Sequence, residues 1–263
     1  MTKLRIGLCR RSFHFPLRRT LAEIQRLGAQ GAELEAVGDL NPSQLTQSGR
    51  REIRNLLQSL ELQPLALACP MRRGLDVPDN LERRIDYLRE AMTLSFDLGA
   101  RCIVVSAGEI PEKDDDPRRR QWLFESLDTL GRHGDRVGTT VLLETGLESA
   151  ETMLGLLDRI DAGSLGVCCN PGNLMLHGFN PYQAARTLKS RLRYVHARDA
   201  RRASAGRLAQ DVPLGHGDID WLQLLGLFEE IEYRGGITIE REASADASTH
   251  LAAAVHFLKR FIA

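Results

Sequence analysis

Eight short apolar runs, separated by eight longer amphipathic stretches, set the tightest limit on what this chain can fold into. The runs cover residues 4–9, 31–36, 63–69, 102–106, 140–144, 165–169, 194–197 and 236–240. They are rich in Val, Ile, Leu and Cys and show little polar alternation, as parallel strands covered on both faces do. The intervening stretches, 17–27, 42–60, 80–98, 117–137, 150–160, 181–189, 221–231 and 244–261, place apolar residues three and four apart, which predicts helices. Asn41-Pro42 and Asn180-Pro181 read as an N-cap followed by proline at the first helical position, and Ser149 and Asp220 as further caps. Gly28, Gly99, Gly138 and Gly235 stand where helices should end. Strict alternation of this kind predicts an α/β fold, a single (β/α)8 TIM barrel in one domain over residues 1–263. The competing doubly wound sheet usually carries a glycine-rich turn after its first strand. Here that turn is Cys9-Arg10-Arg11-Ser12-Phe13-His14-Phe15-Pro16, without glycine.

Composition narrows the function classes. The chain has 263 residues, and its 35 basic side chains balance 35 acidic ones, which argues against a nucleic-acid partner. No apolar run approaches the ~20 residues a membrane span needs. The first residues hold too short an apolar stretch for a signal peptide. Five cysteines, an odd number set largely in strand-like runs, read as buried thiols of a cytoplasmic protein. The lysines are Lys3, Lys113, Lys189 and Lys259, and none ends a strand, so Schiff-base aldolase chemistry is not expected. Self-association into a homo-oligomer stays open.

In a parallel barrel the chemistry gathers at the C-terminal strand ends. The fifth to eighth candidate strands finish on Glu144, Asn170, His196 and Glu240. Two carboxylates, an amide oxygen and an imidazole on neighbouring strands suit one divalent ion, Mn2+, Mg2+, Co2+ or Zn2+. The plain alternative pairs each acid with an arginine, with Arg198, Arg241 and Arg10 as candidates. Around these ends, Asp199 is expected to orient His196 or Arg198, and His216 in the glycine-flanked loop to reach substrate. Arg198, Arg201, Arg202 and Arg241 crowd the last two strand exits, where an anionic substrate is conceivable. His177 is a further loop histidine, and Cys69 reads as packing.

At these residues the sequence resembles the xylose isomerase-like barrel superfamily of sugar phosphate isomerases and epimerases. The motifs are Gly31-Ala32-Glu33-Leu34, Glu144-Thr145-Gly146, Asn170-Pro171-Gly172-Asn173, Val195-His196-Ala197-Arg198-Asp199, Pro213-Leu214-Gly215-His216-Gly217-Asp218-Ile219-Asp220-Trp221 and Ile239-Glu240-Arg241-Glu242. The resemblance implies one divalent cation held by Glu144, Asn170, His196 and Glu240, and a small sugar or sugar-like hydroxy-carbonyl substrate. It also implies proton transfer by Glu144 and Glu240 through an enediolate. Asn173, Arg198, Asp199, His216 and Arg241 are the expected substrate contacts. Asn170 departs from the family's aspartate, which lowers the ligand charge, and Asn173 stands where many epimerases have histidine. A dehydratase on a cyclic polyol or keto acid, and a sugar-binding barrel without catalysis, are the alternatives. The superfamily's multi-zinc endonuclease branch needs many strand-end histidines, and of the seven in this chain His196 alone ends a predicted strand.

Overall fold

The computed structural model describes residues 4–111, 116–242 and 246–262. Lys3, Lys113 and the first residues of the last expected helix, 244 and 245, lie outside the described residues.

Eight parallel strands close into a barrel. They are β1 (Arg5–Cys9), β2 (Gly31–Glu35), β3 (Gln63–Ala68), β4 (Cys102–Val105), β5 (Thr140–Glu144), β6 (Leu165–Cys169), β7 (Leu192–Ala197) and β10 (Gly236–Ile239). Two short strands, β8 (Asp199–Arg201) and β9 (Gln210–Val212), form a separate antiparallel hairpin after β7. The ring closes where β1 pairs with both β2 and β10. Helices α1 (Leu17–Arg26), α2 (Gln47–Ser59), α3 (Leu81–Leu98), α4 (Pro117–Val137), α5 (Ala150–Leu157), α6 (Pro171–Leu176), α7 (Pro181–Thr187), α8 (Trp221–Glu230) and α9 (Ala247–Ile262) flank it. No helix among the described residues is long and apolar enough to cross a membrane.

Three local expectations change. Pro42 does not open a helix, because Asn41 turns its side chain onto Ser43 instead, and Thr46 caps α2 by accepting from the Gly49 N–H at 3.2 Å. The chain between β6 and β7 forms two short helices, α6 capped by Asn170 and α7 capped by Asn180. Gly235 does not end α8; the helix stops at Glu230, and Glu232 takes the left-handed conformation.

The core has two parts. A large apolar layer lies between the strands and the helices. A small one fills the barrel lumen with Ala66, Val104, Leu142, Cys168 and Tyr194. Successive strand side chains alternate between these two sides. One step further along each strand on the lumen side from Leu142, Cys168, Tyr194 and Thr238 come Glu144, Asn170, His196 and Glu240. The pleat therefore lifts four polar groups onto the barrel's C-terminal mouth, above an apolar plug.

Candidate active site

His196 is the hub. Its ring is fully buried, with Nε2 2.6 Å from Glu33 Oε2 and Nδ1 2.6 Å from Glu144 Oε1. Glu240 Oε2 lies 3.4 Å from the same Nδ1. Both ring nitrogens face carboxylates, so both carry a proton when no cation is bound. Burial works against that charge, but Cys168 and the carboxylates of Glu33 and Glu144 outweigh it and raise the imidazole well above its ordinary pKa. The effect is mutual. Burial pushes the Glu144 carboxyl up, His196, Arg11 and Asn170 pull it down further, and it ends at about 2. Glu33 is lowered in the same way, chiefly by His196 against its burial.

Glu144, His196 and Glu240 bring three ligand atoms within 4.8 Å of one another. Two carboxylates and an imidazole suit a divalent cation and leave open positions for substrate. Glu33 braces the far nitrogen of the imidazole, the usual support for a metal-bound histidine, because it fixes the tautomer and the ring plane. The three groups therefore fit the ion that the motifs imply.

Asn170 does not fit as its fourth ligand. The Asn170 Oδ1 accepts the Asn173 backbone N–H at 2.9 Å and caps α6. That bond settles which end of the amide is which. The Nδ2 points into the cluster, donating to Glu144 Oε1 at 2.9 Å and to Glu240 Oε2 at 3.4 Å. An amide nitrogen carrying its hydrogens cannot ligate a metal. An aspartate here would cap with one oxygen and offer the other to the ion; asparagine caps with its only oxygen.

The acids are not privately paired with the expected arginines. Arg10 donates to Glu35 at 3.1 Å. Arg198 donates to Asp211 Oδ1 at 2.6 Å, and Arg241 donates to the other oxygen of Asp211. Glu240 is met instead by Arg11, at 2.7 Å, from the single 3-10 turn that follows β1. The sequence contained no signal for this. Neighbouring arginines in a one-turn loop diverge, and their pattern does not say which one faces inward. Glu33 was visible as part of a motif but not as a site residue. A glutamate in a buried strand, separated from His196 along the chain, becomes its partner only once the barrel closes.

The remaining expected contacts divide. Asn173 lies near the cluster and donates from Nδ2 to the Thr145 carbonyl at 3.0 Å. A Cβ on Gly146 would collide with that amide, which explains the glycine after Glu144-Thr145. Asp199 orients neither His196 nor Arg198. It is buried and accepts from the backbone N–H groups of Ala200, Gly215 and Gly217 and from Trp221 Nε1. Its carboxylate ties the glycine-flanked loop to the start of α8, and a Cβ on Gly217 would strike it. His216, in that loop, is exposed. Cys69 is buried, and burial holds its thiol far above the thiolate range.

Comparison with known proteins agrees with this architecture. Residues 21–261 match the family model of xylose isomerase-like TIM barrels. Inosose dehydratase of Bacillus thuringiensis (strain Al Hakam) is 21% identical over 262 residues, covering 86% of this chain and 88% of the relative. A xylose isomerase domain protein from Planctomyces limnophilus superposes with a TM-score of 0.88 at 25% identity, over 98% of this chain and 97% of that one. The 3-keto-D-glucoside 4-epimerase of E. coli superposes with a TM-score of 0.79 at 16% identity, over 98% and 100% of the two chains.

Proposed function

The chain belongs to the xylose isomerase-like TIM barrel family, and from that premise we propose that it is a divalent-metal-dependent isomerase or epimerase of a sugar or sugar-like hydroxy-carbonyl compound. The observation that carries the reading is the pair of carboxylates, Glu144 and Glu240, that both approach His196 Nδ1 at the barrel mouth, at 2.6 and 3.4 Å. Their side chains are 17% and 13% exposed, so they are dry but reachable.

Glu144, His196 and Glu240 would hold the cation. When bound, it supplies Lewis acidity that polarises a substrate carbonyl and makes the neighbouring C–H more acidic. Glu144 and Glu240 then serve as the acid and base that remove and return a proton through an enediolate. Asn170 keeps the two carboxylates in register through its Nδ2. Glu33 holds the imidazole so that Nδ1 faces the other two ligands. The apolar floor of Leu142, Cys168 and Tyr194 excludes water from below. Arg198 and Arg241 remain candidate substrate contacts beside Glu240. The reading takes residues 1–263 as one domain. A cytoplasmic setting, a small-molecule partner and no nucleic-acid partner go with it.

A dehydratase is the second reading. The extended similarity to inosose dehydratase favours it, and the same two acids can remove a proton and assist departure of a hydroxyl. Incubation with Mn2+ in D2O and a panel of ketoses, inososes and cyclic keto acids separates the readings. Deuterium entering beside the carbonyl with the carbon skeleton retained supports isomerisation or epimerisation. Loss of water supports the dehydratase. Exchange that survives in both Glu144→Gln and Glu240→Gln contradicts either. Absence of exchange across the panel, with no Mn2+ binding at millimolar concentration, favours a barrel that has lost catalysis.

A further inference from the structure

We propose that Arg11 is a catalytic residue of this site, its guanidinium binding the substrate oxygen that becomes negative as the enediolate forms. This rests on the reading above that the site handles a hydroxy-carbonyl compound.

Four arginines ring the barrel mouth, and their partners set one apart. Arg10 is committed to Glu35, and Arg198 and Arg241 share Asp211; neither acid belongs to the His196 cluster. Arg11 alone of the four donates to a member of that cluster, Glu240. The bond uses one terminal nitrogen of a group with five N–H donors. The Arg11 Nε is buried and has no partner among the described residues, while the side chain as a whole is 34% exposed. Arg11 therefore pairs with a half-buried acid while about a third of its side chain stays accessible, with donors beyond the one that Glu240 takes. Planar forked donors of this kind suit oxyanions.

Charge accounting points the same way. The cluster holds three carboxylates, Glu33, Glu144 and Glu240, and Asn170 adds none. With a divalent cation in place of the imidazolium proton, Arg11 is what brings the sum to neutral. Without it the site is negative and repels the charge that a departing proton leaves on the substrate. In the step itself, the C–H bond beside the carbonyl breaks and its proton passes to Glu144, whose Oε2 accepts no hydrogen bond among the described residues. The C–H electron pair becomes the C=C bond of the enediolate. The carbonyl π pair moves onto oxygen and stays there as the enediolate oxyanion, to which the Arg11 N–H groups donate hydrogen bonds. A donor placed for charge that develops only in the transition state contributes far more than one placed for the ground state.

The test is calorimetric titration of the full chain with glycolohydroxamate, a planar mimic of an enediolate, with and without Mn2+. Arg11→Met should weaken binding by on the order of 10²-fold, as loss of one oxyanion donor does elsewhere, while Mn2+ affinity does not fall. Arg10→Met, which removes a neighbouring charge outside the cluster, should leave both unchanged. Undiminished hydroxamate binding in Arg11→Met overturns the proposal and leaves Arg11 as a counter-ion of Glu240. Should that variant fail to fold, Arg11→Lys carries the test: it keeps the charge but not the fork, and undiminished binding there overturns the proposal equally. If the wild-type chain binds Mn2+ but not the hydroxamate, this proposal and the enediolate reading fall together. If it binds both and the Arg11 variants bind the hydroxamate as tightly as the wild type, the proposed function stands and the role of Arg11 does not.

Discussion

Asp199 and Glu240 are both acids beyond the ends of barrel strands, yet they sit in opposite chemical circumstances. Asp199 receives three backbone N–H groups and an indole N–H, from its own strand β8, the loop after β9 and the first residue of α8. Its hydrogen-bonding capacity is spent on holding the chain. Glu240 and Glu144 both approach His196 Nδ1 and share the Nδ2 donor of Asn170, and Glu240 takes a further donor from Arg11. Neither is saturated by backbone. A buried acid that backbone donors satisfy is structural; acids that must share side-chain donors with each other keep capacity for a ligand.

Substitution sharpens this contrast. The largest expected effect is on turnover. Glu240→Gln and Glu144→Gln are nearly isosteric and should each lower the exchange rate by about 10²–10⁴-fold, the range for loss of a general acid or base, in a protein that still folds. Asp199→Ala should do the reverse. It leaves several buried donors without a partner and should cost about 3 kcal/mol or more of stability, read by urea unfolding, while Mn2+ binding by the folded fraction persists. A swap of these two outcomes would break the distinction.

Asn170→Asp comes next. It keeps the cap on α6 and turns the second oxygen toward Glu144 and Glu240. In the metal-free protein three carboxylates then crowd together, so the melting temperature should drop. Mn2+ should restore it and bind roughly tenfold or more tightly than in the wild type. An unchanged affinity would mean that the position does not border the ion.

Glu148 offers a third kind of buried acid, one with neither backbone nor shared donors among the described residues. Its Oε1 is buried without a partner among the described residues, and burial, with Glu109 nearby, pushes its carboxyl up to about 8. The folded chain therefore holds this proton up to about pH 8, whereas the unfolded chain releases it near 4.5. The stabilising proton uptake is present at low pH and is lost as pH rises through that window. Glu148→Gln should match the wild type near pH 5 and exceed it at pH 8 by on the order of 1–3 kcal/mol. A gain that does not grow with pH would show that the acid is already ionised.

The parts of the site that lie on strands were legible because the strand repeat is rigid. Leu142 and Glu144, Tyr194 and His196, and Thr238 and Glu240 are two residues apart, and closure of the barrel brings the upper member of each pair to the same mouth. The parts that lie on turns were not. Arg11 owes its position to one 3-10 turn, and its twin Arg10 turns the other way. The β8–β9 hairpin was hidden in a polar stretch whose strands have three residues each. The role of Asp199 depends on glycine N–H groups from Gly215 and Gly217, which converge only when their loop folds back. Asn170 was read as an oxygen donor because residue type alone does not reveal that the helix cap takes its oxygen.

The claim on which the rest depends is that Glu144, His196 and Glu240 form one cation site. Anomalous diffraction from crystals soaked in Mn2+ tests it most directly. The account predicts a single strong peak within bonding distance of a Glu144 oxygen, His196 Nδ1 and a Glu240 oxygen, with Asn170 Nδ2 outside that distance. No peak there at millimolar Mn2+, with His196 still bridging Glu33 and Glu144, would contradict it.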